Sequence, residues 1–386
     1  MPREAVSTQG VMATATYHLL TEAEPFSEFQ GGAISRWAAN VLRDADATVV
    51  VCPSADSTWK FPSEAIQVLS HLARYQRTRR HLLRLPWSLH RVVIQHVFRP
   101  VLKRLRAGDI VWIHNRPDFA IALTPEIRRA RARVVLHLHN SHLVEWPEPL
   151  MRQVQVDRLV FVSGFLLEQA RRKFSSLGDS SVLYNGADEA IFYPPPSRSK
   201  ETKTPTVLFA GRLVQDKGVH ILMEAMRLLE QRGSRLRALI VGSSNFGGSR
   251  ETDYVQQLKA SAPSAVTFLP YRSGVPLGDL FREADIFCSP SIWDEPFGLV
   301  NVEAFASGLP VVSTRGGGAG EIFAEGGGIL VERGSAAQLA DALHQLAEDE
   351  EFRSTLGRQG RAAFLSRFKW SIARAQVQDI SRSLTV

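Results

Sequence analysis

The stretch YPPPSRSKETKTP (193–205) divides the chain and decides how the rest is read. Prolines and charges fill it and no apolar period runs through it, which is the composition of a linker. Before it, short β-branched runs at 16–20, 48–52, 110–114, 134–139, 159–162 and 182–184 alternate with helical patterns. In 32–42, Ile34, Trp37, Ala38 and Val41 fall on one face at helical spacing. Several runs are apolar throughout, as suits strands buried on both faces of a parallel sheet. After the linker the alternation resumes. Strands are predicted at 207–210, 238–241, 266–269, 286–289 and 311–313. Helices are predicted at 219–229, 254–260, 277–283, 299–306 and 336–347, with a last helical stretch to about 384. Two such series joined by a linker predict an α/β protein of two doubly wound, Rossmann-like domains facing a central cleft.

Composition agrees with this reading. A chain of 386 residues exceeds one compact core, and 44% hydrophobic with 22% charged residues is an ordinary globular balance. Cys52 and Cys288 each sit in an apolar, strand-like run, so no disulfide framework is expected and a reducing compartment is compatible. The opening MPREAVSTQG lacks the apolar core of a signal peptide, and no run reaches the roughly 18–20 apolar residues that span a bilayer. A cytoplasmic placement is the expectation. The net charge of +7 is uneven: from Arg74 to Arg106 there are ten Arg or Lys and no Asp or Glu, interleaved with Leu82, Leu89, Val92 and other apolar residues. Such a stretch can meet an anionic membrane surface or an anionic acceptor, or be a solvated helical face. Nucleic acid is not expected as a partner, because no nucleic-acid motif accompanies the charge.

Four constellations carry chemistry. In EPFGLVNVEAFASGLPVV (295–312), a helix is predicted from about Gly298, punctuated by Gly308 and Pro310. The backbone N–H groups of Gly298, Leu299 and Val300 at such a helix start form a diphosphate cradle. Glu295 just outside it can accept from sugar hydroxyls, and Glu303 inside the helix can take a ribose diol. Two surface glutamates on an ordinary αβ unit are the alternative. In FAGRLVQDKGVHILMEAM (209–226), Arg212 and Lys217 lie in the loop that follows a strand, where two cations can neutralise a leaving diphosphate. In FQGGAISRWAANVL (29–42), Gly31 and Gly32 open a helix and let backbone approach an anion, although a tight turn explains the pair equally. In VVLHLHNSHL (134–143), His137, His139 and His142 gather with Asn140 at a strand end. No carboxylate stands at ligand spacing before Glu145, so a polar substrate contact is read there and no metal site. His114, Asn115 and Arg116 end the preceding strand and are candidates for the acceptor side.

At these residues the chain resembles the retaining glycosyltransferases of the GT-B fold, of the group 1, family 4 type, which includes bacterial mannosyl-, glucosyl- and N-acetylglucosaminyltransferases. The resemblance covers nearly the whole chain. It rests on the Gly31–Gly32 loop, His139, VSGFL from Val162, YNGADEAIFYP from Tyr184, GRLVQDKG from Gly211, the 295–312 segment and GGGAGEI from Gly316. A weaker similarity, in IHNRPDFAIAL (113–123) and HLHNSH, is to enzymes of lipopolysaccharide-core and exported-polysaccharide synthesis. One departure is VGSSNFGG (241–248), where the family often has a more acidic or glycine-paired turn.

The resemblance implies a role for each matched residue. Arg212 and Lys217 would hold the donor diphosphate, Glu295 the hydroxyls of the transferred sugar, and Glu303 the ribose. Phe297, Gly298, Leu299 and Val300 would supply backbone around sugar and phosphates. Gly31 and Gly32 would approach the diphosphate from the first domain, and His139 the sugar's hydroxymethyl group. It also implies a domain of residues 1–195 on the acceptor side, a donor domain of 196–370, and a final helix (about 371–386) packing back on the first. The nucleotide sugar is a co-substrate, so no cofactor and no metal ion are expected. The implied partners are a nucleotide-sugar donor, UDP before GDP, and a saccharide or lipid-linked acceptor. Rival readings are a nucleotide-sugar epimerase on the same fold and a non-catalytic nucleotide-sugar-binding protein.

Overall fold

The structure is a computed structural model that describes residues 14–385 apart from 28–31, 44, 46, 56–60, 63–64, 83, 85, 142–144, 197–203 and 245–250. Gly31, His142, the middle of the linker and the end of the 241–248 loop therefore lie outside the described residues. Two parallel sheets form. The first has strands β1 (Thr16–Leu19), β2 (Thr48–Cys52), β3 (Ile66–Val68), β4 (Ile110–His114), β5 (Arg133–Leu138), β6 (Arg158–Phe161) and β7 (Ser180–Val182), in the order β3-β2-β1-β4-β5-β6-β7. The second has β8 (Thr206–Ala210), β9 (Arg237–Val241), β10 (Val266–Leu269), β11 (Ile286–Ser289), β12 (Val311–Thr314) and β13 (Gly328–Val331), in the order β10-β9-β8-β11-β12-β13. Both are doubly wound, as expected. Strand order reverses between β1 and β4 and between β8 and β11, and ligands bind at the carboxyl ends of strands at such reversals.

The central strands are apolar throughout because helices cover both sheet faces. Ile110–His114 and Thr206–Ala210 are buried at every position. Two strands escape the sequence reading. β3 is an edge strand of three residues, IQV, half-exposed and too short to show a period. β13 opens on the third glycine of a row, Gly326 to Gly328, so its start looks like a turn.

The helix Trp370–Thr385 returns to the first sheet. Its Ala373 and Val377 join a buried cluster with Trp37, Val50 and Trp112, and Arg374 donates to the Asn40 carbonyl at 2.9 Å. A polar clamp ties the two sheets' loops together. Ser163 Oγ donates to the Pro296 carbonyl at 2.6 Å. The Glu321 carboxylate accepts from the N–H groups of Gly164 (2.8 Å) and Phe165 (2.6 Å), at the start of the helix Gly164–Lys173, and from the Tyr184 hydroxyl (2.9 Å). A carboxylate there satisfies donors that the helix itself leaves unpaired. Cys52 and Cys288 are buried and free. Among the described residues no helix is long and apolar enough to cross a membrane.

Candidate functional site

The loops after β8 and β11 meet through a glycine. Gly218 ends the short turn Gln215–Lys217 with φ +68°, and a Cβ there would overlap the Pro290 carbonyl oxygen. That contact sets Lys217 beside the β11 loop. Its ammonium pairs with the Glu295 carboxylate, lies 5.5 Å from the centre of the Trp293 ring, and shares Glu295 Oε1 with Ser291 Oγ, which donates at 2.6 Å. The structure thus joins two residues that the sequence singled out 78 positions apart, and adds Ser291.

Gly298, in the left-handed region at φ +94°, turns the chain into the helix Leu299–Ala306, the bounds the sequence suggests. Phe297 packs inward at 4% exposure. Glu303, on the second turn, is buried. Burial pushes its carboxyl up to about 7, with Arg36 opposing the shift. Arg36 Nη1 reaches Glu303 Oε1 at 3.4 Å from the other sheet's side of the cleft. A cleft is lined by Arg36, Gly211, Arg212, Tyr271, Val300 and Glu303, polar and apolar side chains together. Sequence reasoning missed Arg36 because one arginine on an amphipathic helix looks like an ordinary surface charge.

On the first domain's side the helix Ala33–Val41 starts after Gly32. Its N-terminus, read from sequence as open to an anion, already holds one: Glu24 Oε2 accepts from the Ser35 N–H at 3.1 Å, and a Cβ on Gly32 would strike that carboxylate. Burial pushes the Glu24 carboxyl up, while the Ser35 N–H and Arg36 oppose it. Glu24 was not a sequence candidate.

The carboxyl ends of β1, β4 and β5 bring four histidines together. His18 Nδ1 stands 3.1 Å from His114 Nε2, and His114 Nδ1 stands 3.2 Å from His139 Nε2. His137, paired across the sheet with His114, completes the group. His18, His114 and His137 are fully buried, and His139 is partly exposed. Burial holds His18 and His139 down to about 3, and His114 and His137 well below their usual value. His139's backbone N–H donates to Asn115 Oδ1 at 3.1 Å.

Arg116, a candidate for the acceptor side, is ion-paired inside the first domain. It is buried against Glu22 and Asp118, donating from Nε to Asp118 Oδ1 at 2.8 Å, with its guanidinium 3.9 Å from the centre of the Phe119 ring. Burial pushes the Asp118 carboxyl up, but Arg116 beside it outweighs this and holds it low. A charged residue at a strand end reads as a ligand contact; here its counter-charges lie within the domain.

Comparison with known proteins places this geometry. The family model described as "Glycosyl transferases group 1" matches residues 195–363, the stretch that carries β8 to β13. The chain is 34% identical over 296 residues to the D-inositol 3-phosphate glycosyltransferase of Corynebacterium aurimucosum, covering 71% of this chain and 69% of that one. Among solved structures it is similar to sucrose-phosphate synthase from Thermosynechococcus elongatus (TM-score 0.76, 18% identity, 96% of this chain and 99% of that one). It is also similar to Anabaena HepE, solved in complex with UDP-glucose (TM-score 0.73, 21% identity, 96% and 100%). The last two share the fold, two Rossmann-like units in the GT-B arrangement. With the fold, the matched segment and a relative of this identity and coverage in agreement, the chain belongs to the group 1 glycosyl transferases and is a glycosyltransferase.

Proposed function

We propose that this chain transfers a hexose or N-acetylhexosamine, with retention of anomeric configuration, from a nucleoside diphosphate sugar to a saccharide or glycolipid acceptor. The single observation that carries the reading is the Arg36–Glu303 pair in a cleft that Gly211, Arg212 and Val300 also line. Arg212 and Lys217 hold the diphosphate and stabilise it as it leaves. Glu295 takes sugar hydroxyls and Glu303 the ribose diol. Phe297, Gly298, Leu299 and Val300 frame sugar and phosphates with backbone. Gly31, Gly32 and His139 complete the site from the first domain. The bond from C1 to the phosphate oxygen breaks while the acceptor oxygen bonds to C1 on the same face, and the acceptor's proton passes to the leaving diphosphate. With Glu295 given to the sugar hydroxyls and Glu303 to the ribose, front-face displacement is favoured over a covalent intermediate. The transfer needs no metal.

UDP is favoured over GDP, which the UDP-glucose complex of HepE supports. The acceptor belongs to cell-surface polysaccharide or lipopolysaccharide synthesis, and the enzyme works at the inner face of the cell membrane. Support for that placement lies on the helices Ser70–Leu82 and Trp87–Val97, where Arg74, Arg77, Arg80 and Arg91 are exposed beside Leu89 and Val92. A turnover panel of UDP-, GDP- and ADP-sugars, with NMR of the product anomer, tests the reading. UDP-sugar turnover and a retained anomer are expected; an inverted product rejects the mechanism.

A further inference from the structure

We propose that Arg333 and Asp294 are positioning residues for Glu295, acting through the glycine loop 316–318; the inference rests on the placing of Glu295 at the transferred sugar. The loops after β11, β12 and β13 meet at these residues. Asp294 Oδ1 accepts from the Gly317 N–H at 2.8 Å and pairs with the Arg333 guanidinium. Arg333 Nε donates in turn to the Arg315 carbonyl at 2.9 Å. One guanidinium thus ties the start of the glycine loop directly and its middle through Asp294. The loop then bears on Glu295 itself. The Gly318 N–H donates to the Glu295 carbonyl at 2.8 Å. Gly317 has φ +57°, and a Cβ there would overlap the backbone nitrogen and oxygen of Glu295. The end of β12 also holds the carboxylate's partner: Thr314 Oγ1 donates to the Ser291 carbonyl at 2.5 Å, and Ser291 Oγ donates to Glu295 Oε1 at 2.6 Å.

Exposure decides what the pair does. The Arg333 and Asp294 side chains are 35% and 43% exposed, and an ion pair so open to water adds little to stability. The Glu295 side chain is 18% exposed and has to meet sugar hydroxyls at hydrogen-bond length. Its carboxylate is held by Lys217 and Ser291, and its main chain by the glycine loop. A misplacement of about 1 Å at such a group can cost about 10² in rate. The pair therefore acts on rate and hardly on melting temperature. An arginine suits the place because its planar fork reaches a carbonyl and a carboxylate at once, whereas a lysine offers one point charge. Neither residue stood out in the sequence. Asp294 looks like one more acid beside Glu295, and Arg333 lies 39 positions from Asp294.

The test compares Arg333→Ala, Asp294→Ala and Asp294→Asn with wild type, each as the full chain. Amide hydrogen exchange over 291–297 and 315–318 should quicken about tenfold in both alanine variants, with the melting temperature close to wild type. Asp294→Asn keeps an acceptor for the Gly317 N–H and should recover most of the protection. UDP, which lacks the sugar, should bind all four proteins alike, while kcat for release of UDP from UDP-glucose should fall about 10- to 100-fold in the alanine variants. Added to Glu295→Ala, Arg333→Ala should cost the residual turnover nothing further. Unchanged exchange overturns the positioning, and so does a full loss from Arg333→Ala in the Glu295→Ala background. If UDP-glucose is not turned over, or Glu295→Ala turns it over like wild type, the donor-site reading falls instead, and exchange still decides the positioning. If an alanine variant does not fold, Arg333→Lys, which keeps the charge without the fork, takes its place with the same outcomes at smaller amplitude.

Discussion

Arg36 sets a guanidinium nitrogen 3.4 Å from Glu303 Oε1, joining the helix that follows Gly32 to the helix that follows Gly298. The arginine is partly exposed and the glutamate buried, so the contact is worth more to the charge state of Glu303 than to stability. Arg36→Ala removes the one cation that offsets the burial of Glu303. UDP affinity, read by calorimetry, should then weaken about tenfold while the melting temperature stays close to wild type. Unchanged affinity would separate Arg36 from the donor site.

The same pair sets a pH dependence. Ribose hydroxyls are best accepted by the ionised carboxylate, and Glu303 ionises only around pH 7. Donor binding should strengthen from pH 6 to pH 8 by severalfold, and Glu303→Gln should bind weakly with a flat profile. Stability moves the other way. The folded-state value lies above the ordinary 4.5, so the stabilising contribution is complete below 4.5 and is lost as pH rises through about 7. Donor titrations at stepped pH check the first effect, and urea midpoints of wild type against Glu303→Gln check the second.

Lys217 and Glu295 share one contact and should fail together. Lys217→Ala and Glu295→Ala should each lower turnover by about 10²–10³ while leaving the fold intact by circular dichroism. The double variant should lose little more than either single one, because the groups act as a pair. Wild-type-like turnover in either single variant would remove that residue from the site.

Glu24 occupies the helix start that a donor phosphate would approach. Glu24→Gln keeps an acceptor for the Ser35 N–H and removes any negative charge. If Gly31 and Gly32 face the diphosphate, UDP should bind a fewfold tighter in this variant, and uridine, which has no phosphate, should be unaffected. Equal effects on both ligands would place the loop away from the phosphates.

Glu321 should matter to stability. Glu321→Ala leaves the Gly164 and Phe165 N–H groups and the Tyr184 hydroxyl without their carboxylate, at a cost of about 2 kcal/mol. Urea denaturation measures this, and Glu321→Gln should recover part of the loss.

What was legible in the sequence was periodic or local. Buried strands such as Ile110–His114 announce themselves as apolar runs, and the helix Leu299–Ala306 by its flanking glycines. Lys217 and Glu295 could be singled out because each sits in a loop after a strand. What escaped depends on register and on contacts between distant segments. The meeting of His18, His114 and His137 follows from which strand lies beside which, and no spacing along the chain encodes it. Arg36 and Glu24 escaped because each acts on a residue outside its own element. Arg116 misled for the opposite reason: its counter-charges, Glu22 and Asp118, are close in sequence or space but carry no local signature of pairing.

The helix Trp370–Thr385 has a consequence for how the molecule comes into being. It covers Trp37 and Val50, yet the ribosome makes it more than three hundred residues after them. At synthesis rates of about 5–20 residues per second, the first sheet waits tens of seconds for its last covering layer. During that interval the second sheet can fold, whereas the first keeps an apolar face uncovered. A nascent chain stalled before residue 370 should therefore be a better chaperone client than one from which residues 370–385 have emerged.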